Sequence, residues 1–462
     1  MVSMPGEELR PLKTLLPICR EAVKETIELV LSRYEKRKLY PFIDTKLSAI
    51  TGKDFTEEDT ETDFKSRSAV FGWIQGRGLE ALAGHAAFFS DNPALAERCD
   101  RMLLAVATRI AGFGEKDNGR FMFLYTPEGT PFRCGPDGKR EYFSPWDIQP
   151  GFADIFTGKG LAAAGARLKK PAFTDMGVAA LNNAFQAIKF GSFATDQISF
   201  DPKNPVRPAV NRQAQGPWMI TLGGFALFCE LFPDTWEWRE SGYECLSRIL
   251  EKHTVQKNYG SLKQFDFFEF MDNEGKPCVD DGKIIQDPGH TLEFTGLAAR
   301  FLLKAGSKLA YHPGRRAFID NCKELLPNIF LSAFRNGFRK DVGGICKTFD
   351  LVSRKPVNDD MPWWPLPEAM RAASLLLLLC PEHPRRAEIA EAAQSCARAF
   401  FVGFRSPVPG LFIQTRAADG KPSAAIPATP DADPGYHTGL SLIDVINACE
   451  DNFTGGDKIV LR

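Results

Sequence analysis

The hydrophobic positions of this chain follow a helical period along almost its whole length. Apolar residues recur at i, i+3, i+4 and i+7 in about twelve segments. They lie near residues 14–36, 76–89, 94–112, 151–167, 173–191, 213–231, 235–253, 290–304, 315–335, 365–379, 385–403 and 436–449. No window of comparable length alternates apolar and polar residues with a period of two. The pattern therefore predicts an all-α fold.

Short β-like runs lie between some of these helices, and each is followed by a turn signal. Residues 121–125 precede Pro127-Glu128-Gly129, residues 265–271 precede Asp272-Asn273-Glu274-Gly275, and residues 412–415 precede Asp419-Gly420. Glycine and asparagine in such positions favour tight turns. We therefore expect short β-hairpins inserted between the helices.

The predicted links between helices alternate in length. Links after the even-numbered helices are about three to six residues, or about ten after the eighth, whereas links after the odd-numbered helices are about 20 to 40 residues. Antiparallel helices joined in this way place every long link at one end of the molecule. Six helical hairpins of this kind predict an (α/α)6 toroid or barrel, which we assign to residues 1–462 as a single catalytic domain.

This architecture also predicts where a ligand would bind. The even-numbered helices form the inner barrel, and each of them begins where a long link ends. Helix N-termini present unpaired N–H groups and a positive dipole end, which suit oxygen-rich or anionic ligands. The site is therefore expected at the starts of the six inner helices.

Composition and charge exclude several classes of protein. The chain has 462 residues, with 57 Lys plus Arg and 58 Asp plus Glu, so a basic surface for nucleic acid is not expected. The longest purely apolar run, residues 375–380, is far shorter than the roughly 20 residues needed to cross a bilayer. Eleven cysteines are scattered singly without a CxxC pair, which is typical of reduced thiols. We expect a cytoplasmic protein without nucleic-acid or membrane partners, and a homodimer remains open.

The residues at the six predicted inner-helix starts are unusual. Five of the seven tryptophans and two of the six histidines lie there. The six strings are Trp73-Ile-Gln75-Gly-Arg77, Pro145-Trp146-Asp147 through Asp154, Gln215-Gly-Pro-Trp218, Asp287-Pro-Gly-His290-Thr-Leu-Glu293, Pro362-Trp363-Trp364-Pro-Leu-Pro-Glu368 and Asp433-Pro-Gly-Tyr-His437. This concentration marks the inner-helix starts as the candidate site.

Two histidines, His290 and His437, stand in matching Asp-Pro-Gly contexts. Asp is a favourable N-cap, and Pro is tolerated at the first helical position. The positive end of the helix dipole disfavours imidazolium, so both histidines are expected to be neutral and able to accept a proton. On two inner helices they could flank one ligand, although each could also be an ordinary capping or core histidine.

Other polar and aromatic residues at these starts are candidates for ligand binding. Glu293 lies one turn after His290 and could orient it, bind a ligand hydroxyl or serve in helix capping. Arg77 could stabilise an oxyanion, or it could pair with a loop carboxylate. The five tryptophans offer flat faces for sugar rings, although aromatics at helical spacing are more often core residues; they are Trp73, Trp146, Trp218, Trp363 and Trp364.

Several motifs of other chemistries are absent from the sequence. It contains no GxSxG, Walker A, GxGxxG after a strand, or HExxH motif, and no Cys/His cluster. We therefore expect no cofactor and no metal.

The sequences at the inner-helix starts resemble those of a known family. The stretches 73–77 (WIQGR), 152–156 (FADIF), 287–293 (DPGHTLE), 362–370 (PWWPLPEAM) and the late Tyr436-His437 are similar to the N-acylglucosamine 2-epimerase superfamily, in family order. That resemblance implies an (α/α)6 barrel and an epimerase of N-acylglucosamine or cellobiose, or an aldose–ketose isomerase of mannose-like sugars.

The resemblance also implies roles for particular residues. His290 and His437 match the acid/base pair, Arg77 the arginine on a ligand oxygen, and Glu293 the glutamate after the first histidine. Trp363 and Trp364 match an aromatic wall, and Glu368 matches the glutamate after it. The chain departs from the family where epimerases carry HxxR, since His437-Thr-Gly-Leu440 lacks the arginine, and where isomerases carry a histidine on the sixth helix.

These observations lead to one main functional hypothesis and three alternatives. We expect a sugar epimerase that interconverts monosaccharides by proton abstraction and return through an ene-diolate, using two histidines. An aldose–ketose isomerase differs only in the carbon that receives the proton. A glycoside hydrolase would need two carboxylates, for which Glu293, Glu368, Asp154, Asp359 and Asp360 are candidates. The last alternative is an inactive sugar-binding protein.

Overall fold

A computed structural model describes residues 10–56, 64–135, 137–145, 148–194, 212–425 and 429–450. Within these ranges the helices are, in chain order, α1 (Arg10–Lys13), α2 (Leu16–Lys36), α3 (Gly72–Phe88), α4 (Pro93–Lys116), α5 (Phe152–Leu168), α6 (Pro171–Lys189), α7 (Gly216–Leu231), α8 (Trp236–His253), α9 (Pro288–Leu309), α10 (Pro313–Gly337), α11 (Pro365–Leu379), α12 (Arg386–Arg398) and α13 (Ser441–Cys449). Five-residue π-helical turns, Ala399–Gly403 and Tyr436–Leu440, follow α12 and precede α13.

The helices α2 to α13 correspond to the twelve predicted segments, and the predicted fold class is confirmed. One link was predicted wrongly: the connection after the eighth predicted helix is only residues 310–312. The helix α9 continues because its buried stripe extends through Ala305 to Leu309. The next helix starts earlier than predicted because Pro313 stands in its first turn, where no backbone donor is needed.

Six helices form the inner ring of the barrel. They are α3, α5, α7, α9, α11 and α13, which pack side by side in that order, and the turn Tyr436–Leu440 packs on α3 and closes the ring. Inner helices are buried around most of their circumference, as α5 is at every position from Ala153 to Gly165. The outer helices bury one stripe, as α4 does through Leu95, Cys99 and Leu103.

Short strands lie in the long loops that lead into the inner helices. They are β1 (Val70–Phe71), β2 (Leu124–Tyr125), β3 (Pro131–Cys134), β4 (Arg140–Tyr142), β5 (Gln213–Ala214), β6 (Phe270–Met271), β7 (Ile285–Gln286), β8 (Thr348–Asp350), β9 (Lys355–Asn358), β10 (Met361–Pro362) and β11 (Thr415–Arg416). The three predicted hairpin turns are present: β2 pairs with β3, Met271 pairs with Pro277, and Arg416 pairs with Pro422.

Backbone pairing joins each long loop to the next around the ring. The pairs β1–β2, β5–β6, β7–β8 and β10–β11 each connect neighbouring loops, and Gly151 pairs with Ala194 between the second and third loops. Between the last loop and the first, the N–H of Ala432 donates to the carbonyl of Thr45 at 2.9 Å. We call these six connections the loop belt. They show that the long loops gather at one end of the barrel.

One large hydrophobic cluster fills the space between the two rings and includes residues from Leu12 to Cys449. Among the described residues, no helix is both long enough and apolar enough to cross a bilayer.

Candidate active site

The two candidate histidines lie at inner-helix starts, on the side of the loop belt. Asp287 caps α9 by accepting the N–H of His290 at 3.1 Å. Asp433 accepts the N–H groups of Tyr436 at 2.9 Å and Thr438 at 2.8 Å. The predicted N-cap role is confirmed for Asp287, whereas the N-cap before His437 is Gly435, and Asp433 binds the turn from two residues further back. Each aspartate fixes the backbone from which a histidine projects.

Trp364 brings the two histidines together. Its ring centroid lies 5.5 Å from that of His290 and 5.5 Å from that of His437, with tilts of 34° and 37°. The two imidazoles are therefore no more than twice that distance apart. This close approach requires Gly289, because a Cβ there would lie 2.8 Å from Cη2 of Trp364.

His437 is paired with the buried Glu368. Its Nδ1 lies 2.9 Å from Oε1 of Glu368, and Arg371 contacts the other carboxylate oxygen. Burial, with the nearby Arg77 guanidinium, lowers the pKa of His437 to about 3. Burial raises the pKa of Glu368 to about 7, although Arg371 opposes that shift. His437 is therefore neutral near pH 7, as the sequence predicted.

His290 is in the opposite charge state. Burial lowers its pKa, but Asp287 and Glu269 outweigh that effect and raise the pKa to about 9. Nδ1 lies 3.1 Å from Oε1 of Glu269 and 3.5 Å from Oδ2 of Asp287. The prediction that His290 is neutral is therefore wrong, because nearby carboxylates favour imidazolium more strongly than the helix terminus disfavours it.

Arg77 projects from α3 beside the same group. Its guanidinium carbon lies 4.2 Å from the ring centroid of Phe156 and 5.4 Å from that of Tyr436. Burial lowers the pKa of Arg77. Among the described residues none forms a hydrogen bond or salt bridge with it, so the predicted alternative of a loop ion pair is not observed. A buried guanidinium with unused donors is suited to bind a ligand oxygen.

Glu293 completes the buried polar group. Glu293, Glu368 and His437 each offer one atom, all within 4.8 Å of one another, which is an arrangement that could hold a cation. Burial, followed by repulsion from Glu368, raises the pKa of Glu293. The cation would have to compete with Arg371, which already contacts Glu368. That no metal is needed stays a prediction.

The candidate tryptophans fall into separate groups. Trp363 makes an edge contact with His437 at 6.2 Å, so it joins the site as Trp364 does. Trp218 does not: it packs on Phe185 of α6, and Arg248 of α8 lies over its ring. The expectation that Trp218 binds substrate is therefore not supported, because its ring contacts outer helices. Trp146 and Asp147 lie outside the described residues.

Three residues of the site were not found from the sequence. Arg371 follows Glu368 by three residues on α11, a spacing that places them on one helix face and could have been noticed. Glu269 and Lys347 come from long loops, and Lys347 donates to Asp287 at 2.7 Å. Nothing in the sequence links these loop residues to His290, since the loop pairing that brings them there is not local.

Comparisons with known proteins agree with this fold. The sequence of residues 177–438 matches the family model of N-acylglucosamine 2-epimerase (GlcNAc 2-epimerase). A comparison with curated protein sequences finds no match.

Solved structures with the same fold include two sugar epimerases and an isomerase. Cellobiose 2-epimerase from Bacillus thermoamylovorans B4167 has a TM-score of 0.65 at 12% identity, over 94% of this chain and 99% of that one. A sugar epimerase from a ruminal bacterium has a TM-score of 0.67 at 10% identity, over 94% and 98%. A D-mannose isomerase has a TM-score of 0.59 at 12% identity, over 90% and 97%. At these identities the structures show the shared fold.

The protein is a closed α/α barrel with two histidines, buried carboxylates and tryptophans at its loop end. The family match covers more than half of the chain. The chain belongs to the N-acylglucosamine 2-epimerase family, and it is an isomerase-class carbohydrate enzyme.

Proposed function

We propose that this chain moves a proton at C2 of an open-chain reducing sugar, with His437 as base and His290 as acid. The proposal rests on one observation: both imidazoles pack on Trp364, and each has a carboxylate at Nδ1. Among the described residues, neither Nε2 has a hydrogen-bond partner. Each histidine therefore keeps one ring nitrogen for the substrate.

The first step removes a proton. Neutral His437 accepts the C2 proton at Nε2, while its Nδ1 proton is shared with Glu368. The electron pair of the C–H bond forms a double bond between C1 and C2, and the carbonyl electrons move onto O1. The negatively charged ene-diolate oxygen then accepts hydrogen bonds from Arg77, whose buried Nε has no other hydrogen-bond partner among the described residues.

The second step returns a proton from His290, which is charged near neutral pH. Protonation of C2 from the opposite face, with the O1 charge re-forming the C1 carbonyl, gives the epimer. Protonation of C1 gives the ketose when the O2 proton moves to O1 and the C2 carbonyl forms. His290 is then neutral and His437 charged, and exchange with water or the reverse reaction restores the starting state. Trp363 and Trp364 would support the sugar ring, and Glu293 would accept a hydroxyl.

The test uses heavy water and a sugar panel that includes N-acylglucosamine, cellobiose and mannose. The wild-type enzyme should convert one of these sugars and label C2 or C1 with deuterium. Replacing either histidine, His290→Asn or His437→Asn, should lower conversion by about 10²–10⁴-fold. In His290→Asn, His437 should still exchange the C2 proton of the starting sugar without forming product.

The matched control is His312→Asn, since His312 is exposed at the start of α10 and should leave activity unchanged. Substantial conversion by either site variant would contradict the acid/base roles. Sugar hydrolysis without labelling at C2 would instead favour a glycoside hydrolase.

The hydrolase alternative loses two of its five candidate carboxylates, whereas Glu293 and Glu368 remain in the site. Asp154 is held by Arg120 at 3.1 Å and accepts the N–H of Gly151 at 2.9 Å, and Asp359 contacts Arg339. Both have structural partners, and neither contacts the histidines.

A further inference from the structure

Glu269 is a buried residue fixed by backbone bonds within its own long loop and to the preceding one. It immediately precedes β6, and its N–H donates to the carbonyl of Ile285 at 2.8 Å. Its own carbonyl accepts the N–H of Gln215 at 3.0 Å, where β5 meets β6. The residue is only 5% exposed, so the loop belt determines where its carboxylate lies.

The two oxygens of this carboxylate have separate partners. Oε1 lies 3.1 Å from Nδ1 of His290, and Oε2 accepts a hydrogen bond from Nε2 of Gln215 at 3.2 Å. Gln215 is fully buried at the N-cap position of α7, and its side chain holds the carboxylate oxygen that does not face His290. A carboxylate fixed in this way at Nδ1 keeps a proton on that nitrogen.

We propose that Glu269 is a positioning residue that holds the proton on Nδ1 of His290 and fixes its ring beside Trp364, so that Nε2 is the nitrogen that meets the substrate. This inference rests on the proposed acid role of His290. It assigns a function to a loop residue that does not itself touch the reacting atoms. Gln215 is the partner that keeps Glu269 in place.

The other charged groups around His290 determine how far its pKa should change when Glu269 is replaced. Asp287 lies on the cap of its own helix, Glu293 lies one turn further on, and Lys347 approaches from the loop before α11. Lys347 disfavours the positive charge on His290, whereas the carboxylates of Asp287, Glu293 and Glu269 favour it. Removing the charge of Glu269 should therefore lower the affinity of His290 for its proton without abolishing it.

The direct experiment is an NMR titration of the histidine side chains in the full-length protein. With His290→Asn used to assign the signal, wild-type His290 should carry protons on both nitrogens up to about pH 9. In Glu269→Gln its pKa should fall by about one unit or more. This measurement needs no substrate, so it can fail or succeed independently of the proposed function.

Kinetics give the second measurement. In Glu269→Gln the alkaline limb of kcat/KM should move to lower pH, whereas a merely structural role would lower activity equally at all pH values. Glu269→Asp should restore part of the wild-type profile. Glu274→Gln is the matched control, since Glu274 is an exposed glutamate in the same loop that pairs with Lys276.

An unchanged pKa and tautomer of His290 in Glu269→Gln would overturn the inference. If that variant does not fold, the wild-type titration still decides, because a His290 that is neutral at pH 7, or that lacks a proton on Nδ1, would equally overturn it. Loss of the acid role of His290 in the labelling experiment, with the NMR shift observed, would instead contradict only the proposed function.

Discussion

Two histidines in nearly the same sequence context have opposite charge states. Both follow Asp-Pro-Gly, and both lie at inner-helix starts. The difference comes from their partners: His437 faces Glu368, whose own pKa is raised by burial to about 7, and Arg77 adds a positive charge. His290 faces Glu269 and Asp287. Helix position alone therefore does not determine the protonation of either residue.

This asymmetry predicts a bell-shaped pH profile for kcat/KM. Below about pH 7 Glu368 is protonated and no longer stabilises a charged His437, so activity should rise as pH increases through 7. Above about pH 9 His290 loses the proton that it must donate, so activity should fall. Initial rates at low substrate concentration across pH 5–10 would measure both limbs.

The variant Glu368→Gln separates the two limbs. It should lower kcat/KM overall and remove the acid limb near pH 7, while the alkaline limb stays in place. An acid limb that persists in this variant would show that another group controls it. Circular dichroism would confirm that the variant is folded.

At the scale of single helices, periodicity predicted where the inner and outer helices lie but not which way each aromatic side chain points. Trp364 and Trp218 both stand at an inner-helix start, yet Trp364 contacts the histidines and Trp218 contacts α6 and α8. The orientation depends on small residues nearby, such as Gly289 beneath Trp364, whose role appears only in the packed barrel.

Gly289 provides a prediction at this scale. In Gly289→Ala the new Cβ would lie 2.8 Å from Trp364 and 2.7 Å from Cγ of Pro365, so these side chains or the helix start that carries His290 must shift. We expect kcat to fall at least about tenfold, since small displacements of positioning residues are costly. Steady-state kinetics and tryptophan fluorescence would measure the loss and the displacement.

The matched control for this change is Gly306→Ala on the same helix. A Cβ at Gly306 would meet only ordinary contacts, the nearest at 3.8 Å from Leu302. The substitution should keep activity and increase stability by about 1 kcal/mol through helix propensity. Equal activity in the two variants would contradict the argument for Gly289.

At the scale of the whole molecule, the alternation of short and long links was enough to predict the barrel and the end at which its long loops and the candidate site lie. The loop belt was not predictable, because its strands are two or three residues long and pair between different loops. Residues that depend on the belt, above all Glu269 and Lys347, were therefore missed. Residues that depend on a helix start, such as His290 and Arg77, were found.

The last connection of the belt predicts how the barrel is held closed. Lys46 in the first long loop and Asp431 in the last form a buried ion pair at 3.0 Å, each with a side chain only 1% exposed. Asp431→Asn would leave the Lys46 charge buried without its partner, which typically costs about 3–5 kcal/mol. Because one core includes residues from both ends of the chain, we propose a single domain and expect one unfolding transition, shifted to lower temperature in the variant.

Calorimetry of the variant would test this together with two matched proteins. Asp419→Asn removes an exposed aspartate of the same loop, paired with Lys421, and should leave the transition unchanged. The double variant Lys46→Met with Asp431→Leu should recover most of the loss, since an apolar pair leaves no buried charge. Two separate transitions in the wild-type protein, or an Asp431→Asn variant as stable as the wild type, would show that the barrel is not closed as a single unit through this pair.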